Sequence, residues 1–383
     1  MNKKKRICIL GSTGSIGRNA LRVISDLSDR FQVCGLSAHS NINLLAKQIN
    51  EFRPDSVAIT DESQVHELRR RLKRDVGIFA GKNAHEELAK QKEADIILIA
   101  ITGSASIRPT YTAVSHGKDI ALASKEALVS AGHIIMREAK RRNSAIIPID
   151  SEHNAIFQCL AGNDVSKIRK LYITSSGGPL LNTPKKKFKN LSRRDVLNHP
   201  KWKMGKKISV DSATMMNKGL EVIEAKWLFG IDVDRIKVLI HPEAVVHSMV
   251  EFVDGTLLAE LGVADMRLPI QYALTYPERC ENSLRPLDLI ATRKLTFTKP
   301  DTGKFPLLKL GYEAAKAGGS VPSVLNVSNE IAVKAFLAGR IKFTEIPIII
   351  EKVLSKHKKI EFPSLDEIDG IGEWAESEVE RFC

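Results

Sequence analysis

The stretch RICILGSTGSIG at residues 6–17 decides the fold of the N-terminal part of the chain. Its apolar run, ending at Leu10, predicts a buried strand, and Ile16 begins an amphipathic pattern typical of a helix. Between them the glycines follow the pattern G-x-x-G-x-x-G. Glycine at such a turn lets the backbone approach a pyrophosphate, which the positive end of the helix stabilises. The stretch therefore predicts a dinucleotide-binding turn, and a tight turn that binds no phosphate is the alternative.

The first 149 residues continue this pattern, because short β-branched runs alternate with amphipathic stretches. We expect strands at residues 6–10, 32–36, 56–60, 96–101, 120–123 and 145–149. Such alternation predicts an α/β fold with a doubly wound parallel sheet, which binds ligands at the carboxyl ends of its strands. The second strand is followed by SAHSN at residues 37–41, without the Asp or Glu that would bind an NAD ribose. NADP is therefore favoured, although no Arg or Lys is present there to bind its 2′-phosphate.

Beyond residue 149 the pattern changes twice. Strand-like runs at residues 171–174, 238–241, 248–253 and 256–261 predict an α+β connecting domain over residues 150–275. An Asp254-Gly255 turn signal separates the last two runs. Residues 276–301 contain proline and lack periodicity, so they predict a linker, and residues 302–383 predict a C-terminal helical bundle.

Two acidic residues follow the last predicted strand of the first domain, in PIDSEHN at residues 148–154. If the backbone stays extended, Asp150 and Glu152 point the same way, and two adjacent carboxylates need a cation between them. Carboxylate oxygens suit Mg²⁺ or Mn²⁺. The alternative is a helix N-cap provided by Asp150 or Ser151, and the segment alone does not separate the two.

Three further segments carry candidate anion-binding residues. In DSATMMNKGLE at residues 211–221, Asn217 and Glu221 are four apart on one predicted helix face beside Lys218. This face could bind phosphate and provide one metal ligand, and an exposed face with an ordinary Lys–Glu pair is the alternative. TSSGGP at residues 174–179 predicts an anion-binding turn or a plain glycine turn. HPKWKMG at residues 199–205 predicts a mobile lid over a charged substrate.

Composition limits the class of protein. The 383 residues carry a net charge of +13, and residues 185–207 hold ten Lys/Arg and one acid, a local charge of +9. This segment would attract anions, whether nucleic acid or phosphorylated metabolites. The five cysteines form no metal-binding or disulfide pattern. No apolar run is long enough to span a membrane and none follows the basic start as in a signal peptide, so we expect a cytoplasmic protein without a membrane partner.

Several of these motifs together resemble the 1-deoxy-D-xylulose-5-phosphate reductoisomerase family. The matching stretches, in the family's order and spacing, are GSTGSIG (11–17), SKE (124–126), DSEHNAIFQ (150–158), SGGP (176–179), HPxWxMG (199–205) and ISVDSATMMNKGLE (208–221). The resemblance implies rearrangement and NADPH-dependent reduction of 1-deoxy-D-xylulose 5-phosphate to 2-C-methyl-D-erythritol 4-phosphate, a step of non-mevalonate isoprenoid precursor biosynthesis. It also implies Mg²⁺ or Mn²⁺ as cofactor, a sugar phosphate as substrate and a homodimer.

The resemblance also implies roles for individual residues. The metal ligands would be Asp150, Glu152 and Glu221. Lys125 and Ser151 would contact the substrate's polar groups, and its phosphate would be held by Ser176, Ser212, Asn217 and Lys218. His199 would contact the substrate, over which Trp202 and Met204 would close. The cofactor site would comprise Thr13, Gly14, Ser15, Ile16, Ser40, Asn41, Ser124, Glu126 and Gly205.

Three residues depart from the family pattern, and two rival functions remain. Ser124 stands where Asn is usual, Ser40 where some members have a basic residue, and Ser175 where Gly is common. One rival is another NADP-dependent dehydrogenase of a phosphorylated substrate, such as a semialdehyde dehydrogenase with a nucleophilic cysteine. The other is a nucleic-acid-binding protein, which would need aromatic side chains between its charges; here only Phe188 and Trp202 are available. We therefore expect no nucleic-acid partner.

Overall fold

A computed structural model describes residues 3–202 and 204–383, so Lys203 of the basic loop and the first two residues lie outside the described structure. The chain divides into two compact units, each assembled from separate segments. The first unit comprises Met1–Ala127, Ile135–Asn154 and Asp265–Leu284. The second comprises Leu128–Ile134, Ala155–Ala264 and Arg285–Cys383.

A seven-stranded parallel sheet forms the centre of the first unit. Its strands in spatial order are β4-β3-β2-β1-β5-β6-β7. Their bounds are β1 Lys5–Leu10, β2 Phe31–Ala38, β3 Ser56–Ile59, β4 Gly77–Ala80, β5 Ile96–Ile99, β6 Asp119–Leu122 and β7 Ile146–Pro148. The predicted doubly wound fold is confirmed. The sequence analysis missed β4, because this short strand at the edge of the sheet has no fully buried residue to mark it.

A four-stranded mixed sheet lies in the second unit, with the order β11-β10-β8-β9. Its strands are β8 Ile168–Ser175, β9 Ile236–Ile240, β10 Val246–Phe252 and β11 Leu257–Leu261. β8 and β9 are parallel, whereas the pairs β8–β10 and β10–β11 are antiparallel, as predicted. The predicted hairpin turn is present, and Gly255 adopts a φ of +89° that other residues disfavour.

Sixteen α-helices lie in the described part of the chain, and none of them is both long and apolar enough to cross a membrane. Those that begin before residue 161 are α1 Ser15–Asp26, α2 Ile42–Phe52, α3 Val65–Arg71, α4 Ala84–Ala89, α5 Ile107–Ser115, α6 Lys125–Arg142 and α7 Ser151–Leu160. The middle of the chain forms α8 Arg193–Leu197, α9 Lys206–Thr214, α10 Met216–Phe229, α11 Arg267–Thr275 and α12 Leu289–Thr292. The C-terminal part forms α13 Pro306–Ala317, α14 Val321–Ala338, α15 Glu345–Lys356 and α16 Leu365–Glu380, as its helical pattern predicts.

The segment predicted to be a linker has little regular structure of its own. Within residues 276–301 the structure contains α12 and a bridge in which Thr298 exchanges backbone hydrogen bonds with Ile240 at the end of β9. One continuous apolar core fills the second unit and includes Leu220 and Ile223 of α10 together with Leu307 and Leu308 of α13.

Helices α10 and α13 approach each other closely at a pair of glycines. A Cβ placed on Gly311 would lie 2.4 Å from the Cα of Gly219. Because the atoms that this Cβ would meet belong to the backbone of Gly219, no side chain can move aside to relieve the overlap. The glycines therefore set the separation of the helix that carries Glu221 from the bundle helix behind it.

We predict that Gly311→Ala destabilises the protein by about 1–3 kcal/mol, because the added methyl group overpacks this crossing. The matched control is Gly370→Ala in α16, where a Cβ meets no atom within 4 Å. There the same change should stabilise by up to ~1 kcal/mol through the better helix propensity of alanine. Urea unfolding of both variants measures the difference, and equal effects would contradict the packing argument.

Candidate active site

The glycine turn after β1 admits no other residues at two of its positions. Gly11 has a φ of +93°, and a Cβ there would lie 2.5 Å from the carbonyl oxygen of Ala100. A Cβ on Gly17 would lie 2.4 Å from the carbonyl oxygen of Gly11. The two glycines thus let the turn fold tightly against the start of α1. Gly14 and Ser15 are exposed at its tip, flanked by the half-buried Thr13 and Ile16.

Buried hydrogen bonds fix this turn to the neighbouring strand β2. Gly11 N–H donates to Ser37 Oγ over 2.8 Å, and Ser12 N–H donates to the carbonyl oxygen of Ser37 over 2.8 Å. The Ser12 hydroxyl contacts Gln48 Oε1 at 2.8 Å. Helix α1 begins with Gly14 as its N-cap and has no acidic residue in its first turn. Its N-terminal N–H groups are therefore suited to an anionic ligand.

The other predicted cofactor residues of the first unit also follow strand ends. Ser40 and Asn41 are exposed just beyond β2, and the Asn41 side chain caps α2 by accepting from Leu44 N–H at 3.2 Å. Ser124 and Glu126 are buried at the start of α6, beyond β6. The Ser124 hydroxyl donates to backbone carbonyl oxygens of the β5 end, so its visible role is to hold that turn. Gly205, the N-cap of α9, belongs to the second unit.

Two of the predicted metal ligands lie in the first unit, just beyond β7. The Asp150 carboxylate accepts from Lys125 Nζ at 2.5 Å, and both side chains are at least nine-tenths buried. The Ser151 hydroxyl donates to Glu152 Oε2 over 2.7 Å. These contacts bring four of the predicted site residues together in one unit. They place a buried lysine and two carboxylates at the carboxyl edge of the parallel sheet.

The geometric reason given above for pairing Asp150 with Glu152 is wrong. The backbone does not stay extended, because β7 ends at Pro148 and α7 begins at Ser151. Asp150 therefore occupies the position before the helix, and its carbonyl oxygen accepts the first intrahelical bond, from Asn154 N–H at 2.8 Å. The backbone of Asp150 therefore lies at the start of α7, as the helix-cap alternative predicts. The carboxylate of Asp150 pairs with Lys125.

The third predicted metal ligand, Glu221, lies in the second unit on α10. Its carboxylate accepts from Asn217 Nδ2 and from Lys218 Nζ, each at 2.5 Å. The predicted i,i+4 face is confirmed. The alternative of an ordinary exposed pair is wrong, because Lys218 is only 5% exposed and Glu221 only 1%. Burying a charged pair to this degree costs free energy unless its hydrogen bonds are satisfied. This face of α10 is therefore not an ordinary solvated surface.

The serine–glycine turn after β8 contacts the helix that carries Ser212. Gly177 and Gly178 have φ values of +82° and +68°. A Cβ on Gly178 would lie 2.6 Å from the carbonyl oxygen of Ser212 and 3.1 Å from its Oγ. This close approach brings Ser176 and Ser212 to the same place in the second unit. Ser175, the departure from the family pattern, is accommodated: its hydroxyl accepts from Gly177 N–H at 3.1 Å.

His199 determines how the hydroxyl of Ser176 is oriented. The ring Nδ1 accepts backbone N–H groups of Trp202 at 2.9 Å and Lys201 at 3.2 Å, so the neutral ring carries its proton on Nε2. Nε2 lies 3.2 Å from Ser176 Oγ. Burial, with the nearby Lys218 cation as a smaller cause, lowers the pKa of His199 to about 4, which keeps this ring neutral. Ser176 Oγ also accepts from Gly178 N–H at 3.3 Å, so its own O–H remains the donor for a ligand.

The lid residues are only partly covered. Trp202 and Met204 are half-buried, and the Trp202 indole lies 6.5 Å from the ring of His247 between centroids. Burial lowers the pKa of His247 to about 4, with Lys218 again among the smaller causes. Lys218 therefore lies near both imidazoles, of which His199 contacts Ser176 and His247 adjoins Trp202.

The sequence analysis gave no role to three buried ionisable residues next to these groups. His153 is fully buried with Nδ1 3.8 Å from Asp150 Oδ1. Glu224 is fully buried one helical turn beyond Glu221, and His247 is 7% exposed. The sequence spacing could have identified two of them, since His153 lies three residues after Asp150 and Glu224 lies three residues after Glu221. His247 lies in an alternating strand pattern that carries no such signal.

Comparisons with known proteins agree with this arrangement. The family model described as 1-deoxy-D-xylulose 5-phosphate reductoisomerase matches residues 7–132. Two models of the C-terminal domains of the same enzyme match residues 146–229 and 261–378. Together the three models cover most of the chain, including every stretch that carries the sequence motifs.

Full-length relatives bear the same name. The chain is 48% identical over 378 residues to 1-deoxy-D-xylulose 5-phosphate reductoisomerase of Thermoanaerobacter pseudethanolicus, covering 98% of this chain and 99% of that one. It is 50% identical over 371 residues to that of Thermodesulfovibrio yellowstonii, covering 97% of each.

Solved structures extend the likeness to the whole fold. The Zymomonas mobilis reductoisomerase in complex with NADPH is 39% identical, with a TM-score of 0.93 and 99% of each chain covered. A DOX-P reductoisomerase in complex with NADPH, fosmidomycin and magnesium is 38% identical, with a TM-score of 0.92 and the same coverage. The chain therefore belongs to the 1-deoxy-D-xylulose 5-phosphate reductoisomerase family.

Proposed function

We propose that this chain converts 1-deoxy-D-xylulose 5-phosphate to 2-C-methyl-D-erythritol 4-phosphate, using NADPH and one divalent ion, Mg²⁺ or Mn²⁺, in non-mevalonate isoprenoid biosynthesis. The observation that carries the proposal is the buried setting of the family's acidic residues. Asp150 and Glu221 are each held by a buried lysine, and Glu152 adjoins Asp150. The crystallised relatives with NADPH and magnesium support the same choice of cofactors.

The residues fit a hard divalent ion. Asp150, Glu152 and Glu221 offer only carboxylate oxygens, the donors that Mg²⁺ and Mn²⁺ prefer. A divalent ion bound by them supplies Lewis acidity, which polarises a ketone oxygen and stabilises a developing alkoxide. Lys125 and Ser151, whose polar atoms lie beside the same carboxylates, bind and orient the substrate's ketone and hydroxyl groups.

The phosphate of the substrate binds in the second unit. Ser176 presents its O–H there because His199 and Gly178 already donate to its oxygen. Ser212, Asn217 and Lys218 add a hydroxyl, an amide and a cation. Holding a group remote from the reacting carbons provides orientation, which raises the rate without chemistry at the phosphate itself. Trp202 and Met204 then close over the substrate and exclude water.

NADPH binds at the glycine turn of the first unit. Its pyrophosphate is stabilised by the backbone N–H groups at the start of α1, and the exposed Ser40 and Asn41 face the ribose of the adenosine. Neither residue carries a positive charge, so NADPH should be bound through hydrogen bonds at this end. Gly205 lines the site from the lid, as the family resemblance implies.

The two rival functions lose their chemical basis. A semialdehyde dehydrogenase needs a reactive thiolate, but burial raises the pKa of Cys34 and of Cys159 to about 11 and also raises the pKa of Cys8 well above its usual value. Single-strand binding needs exposed aromatic rings, but Phe188 is buried at 7% exposure and Trp202 lies beside His247.

We further propose that the enzyme is a homodimer. The edge strand β11 of the four-stranded sheet exposes Leu257 at 49%, Leu258 at 37% and Leu261 at 38%. An exposed apolar edge strand is prone to pair with another chain, and a second copy is the occupant that the family resemblance supports. Light scattering should give twice the chain mass, and a monomer would contradict the proposal.

The functional regions are proposed as an NADPH-binding domain (1–149), a connecting catalytic and dimerisation domain (150–275), a linker (276–301) and a C-terminal helical domain (302–383). The separate matches of the family models to residues 7–132, 146–229 and 261–378 support a division of this kind. A cytoplasmic location stays a prediction.

We predict that Glu152→Gln lowers metal-dependent oxidation of NADPH by about 10³-fold, because removal of an anionic ligand weakens a Lewis acid that contributes several kcal/mol. The measurement is the loss of NADPH absorbance with 1-deoxy-D-xylulose 5-phosphate and Mn²⁺, with NADPH binding checked by fluorescence. Glu51→Gln, an exposed glutamate of the same unit, is the matched control and should leave the rate unchanged. Wild-type activity in excess chelator would contradict the proposed chemistry.

We predict that Ser176→Ala raises KM for the sugar phosphate about tenfold or more, because a hydrogen bond to a charged group contributes about 1.5–3 kcal/mol. The inhibition constant of inorganic phosphate should rise by a similar factor. Ser355→Ala is the control, since that hydroxyl donates only to a carbonyl oxygen of its own helix, Lys352 O at 2.8 Å. An unchanged phosphate inhibition constant in Ser176→Ala would remove this residue from the phosphate site.

A further inference from the structure

Most of the basic residues that the structure describes within residues 185–207 are exposed. Four of the lysines lie in the 3₁₀ segment Lys185–Asn190, and Arg193 and Arg194 begin α8. All six are exposed. Lys207 pairs with Asp211 at 2.9 Å. The one acid of the segment, Asp195, is the N3 residue of a capping box with Ser192.

The segment is held in place by its apolar and backbone contacts. Phe188 is buried and packs edge-on against Phe343 with ring centroids 5.6 Å apart. Lys185 Nζ donates to the carbonyl oxygen of Gly303 over 2.6 Å, and Arg193 Nη1 donates to that of Leu337 over 2.9 Å. The basic residues between Lys185 and Arg194 are therefore carried on a backbone that is anchored to the rest of the unit.

This surface continues into the substrate-binding part of the second unit. The 3₁₀ segment and α8 lie between the Ser176 turn and His199 in the chain, and α8 packs against α9, which carries Ser212. Helix α9 itself starts with Lys206 and Lys207 and has no acid in its first turn. Cations at a helix N-terminus oppose the helix dipole, so their placement costs stability and calls for a compensating function.

We propose that residues 185–207 form an electrostatic capture surface that speeds the association of the anionic sugar phosphate and NADPH. The proposal rests on the proposed function, because it concerns the same ligands. A one-signed charged surface beside a binding site raises the association rate of an oppositely charged ligand by about 10–10³-fold at low ionic strength. Nucleic acid is the less favoured partner, since Phe188 is buried and only the half-buried Trp202 could stack on a base.

The test removes three charges that no described contact uses, in the triple variant Lys186→Gln/Lys187→Gln/Lys189→Gln. At low ionic strength kcat/KM for the sugar phosphate should fall about three- to tenfold, because the lysines act on the association of the ligand. The value of kcat should stay unchanged, because it describes the complex after binding. The difference should vanish near 1 M salt, where the screening length is about 3 Å. The matched control removes the same charge from exposed lysines of the C-terminal helical region, as Lys334→Gln/Lys342→Gln/Lys358→Gln. Lys→Arg at the first three positions should restore wild-type behaviour.

Stopped-flow association of NADPH, followed by its fluorescence, provides a second readout that needs no turnover. It should slow in the Lys186 triple variant and not in the control. Equal kinetics of the two triple variants would overturn the proposal, and so would wild-type NADPH association that does not depend on salt. A third contrary result would be that the Lys186 triple variant loses oligonucleotide binding while its kcat/KM and its NADPH association rate stay unchanged. A wild-type enzyme without turnover but with salt-dependent NADPH association would instead contradict the proposed function.

Discussion

A carboxylate buried away from water must be neutralised, and this requirement governs both parts of the candidate site. In the first unit Lys125 neutralises Asp150, and in the second Lys218 and Asn217 bind Glu221. Removing one partner of such a pair costs about 3–5 kcal/mol, so each pair contributes to stability. In the proposed enzyme Asp150 and Glu221 would also serve as ligands of a divalent ion, which would add positive charge beside them.

The two units position these side chains in different ways. In the first unit the glycine turn, the start of α6 and the start of α7 follow the parallel strands β1, β6 and β7, whose carboxyl ends share one edge of the sheet. In the second unit a tight turn separates α9 from α10, with Met215 in a left-handed conformation at φ +63°. That turn separates the helix that carries Ser212 from the helix on which Lys218 binds Glu221. The glycine pair behind α10 fixes the position of this helix in the core.

Local sequence signals predicted the parts of the structure that depend on neighbouring residues. The glycine spacing, the alternating strands and the i,i+4 relation of Asn217 and Glu221 were all visible in the chain and are confirmed. Burial was not visible, because it depends on residues that are distant in sequence. The segment that contains Lys218 and Glu221 was therefore equally compatible with an exposed face, although both residues are buried. For the same reason His247, whose neighbours come from the lid and from α10, carried no signal.

The central proposal is that the acidic residues of the family motifs, Asp150, Glu152 and Glu221, bind a divalent ion. Titration of the protein with Mn²⁺, followed by the loss of the free-ion EPR signal, tests it most directly. The account predicts one tight site per chain in the wild type. Asp150→Asn and Glu221→Gln should each abolish that site, while both variants keep the wild-type circular dichroism spectrum. Unchanged one-to-one binding in either folded variant would contradict the account.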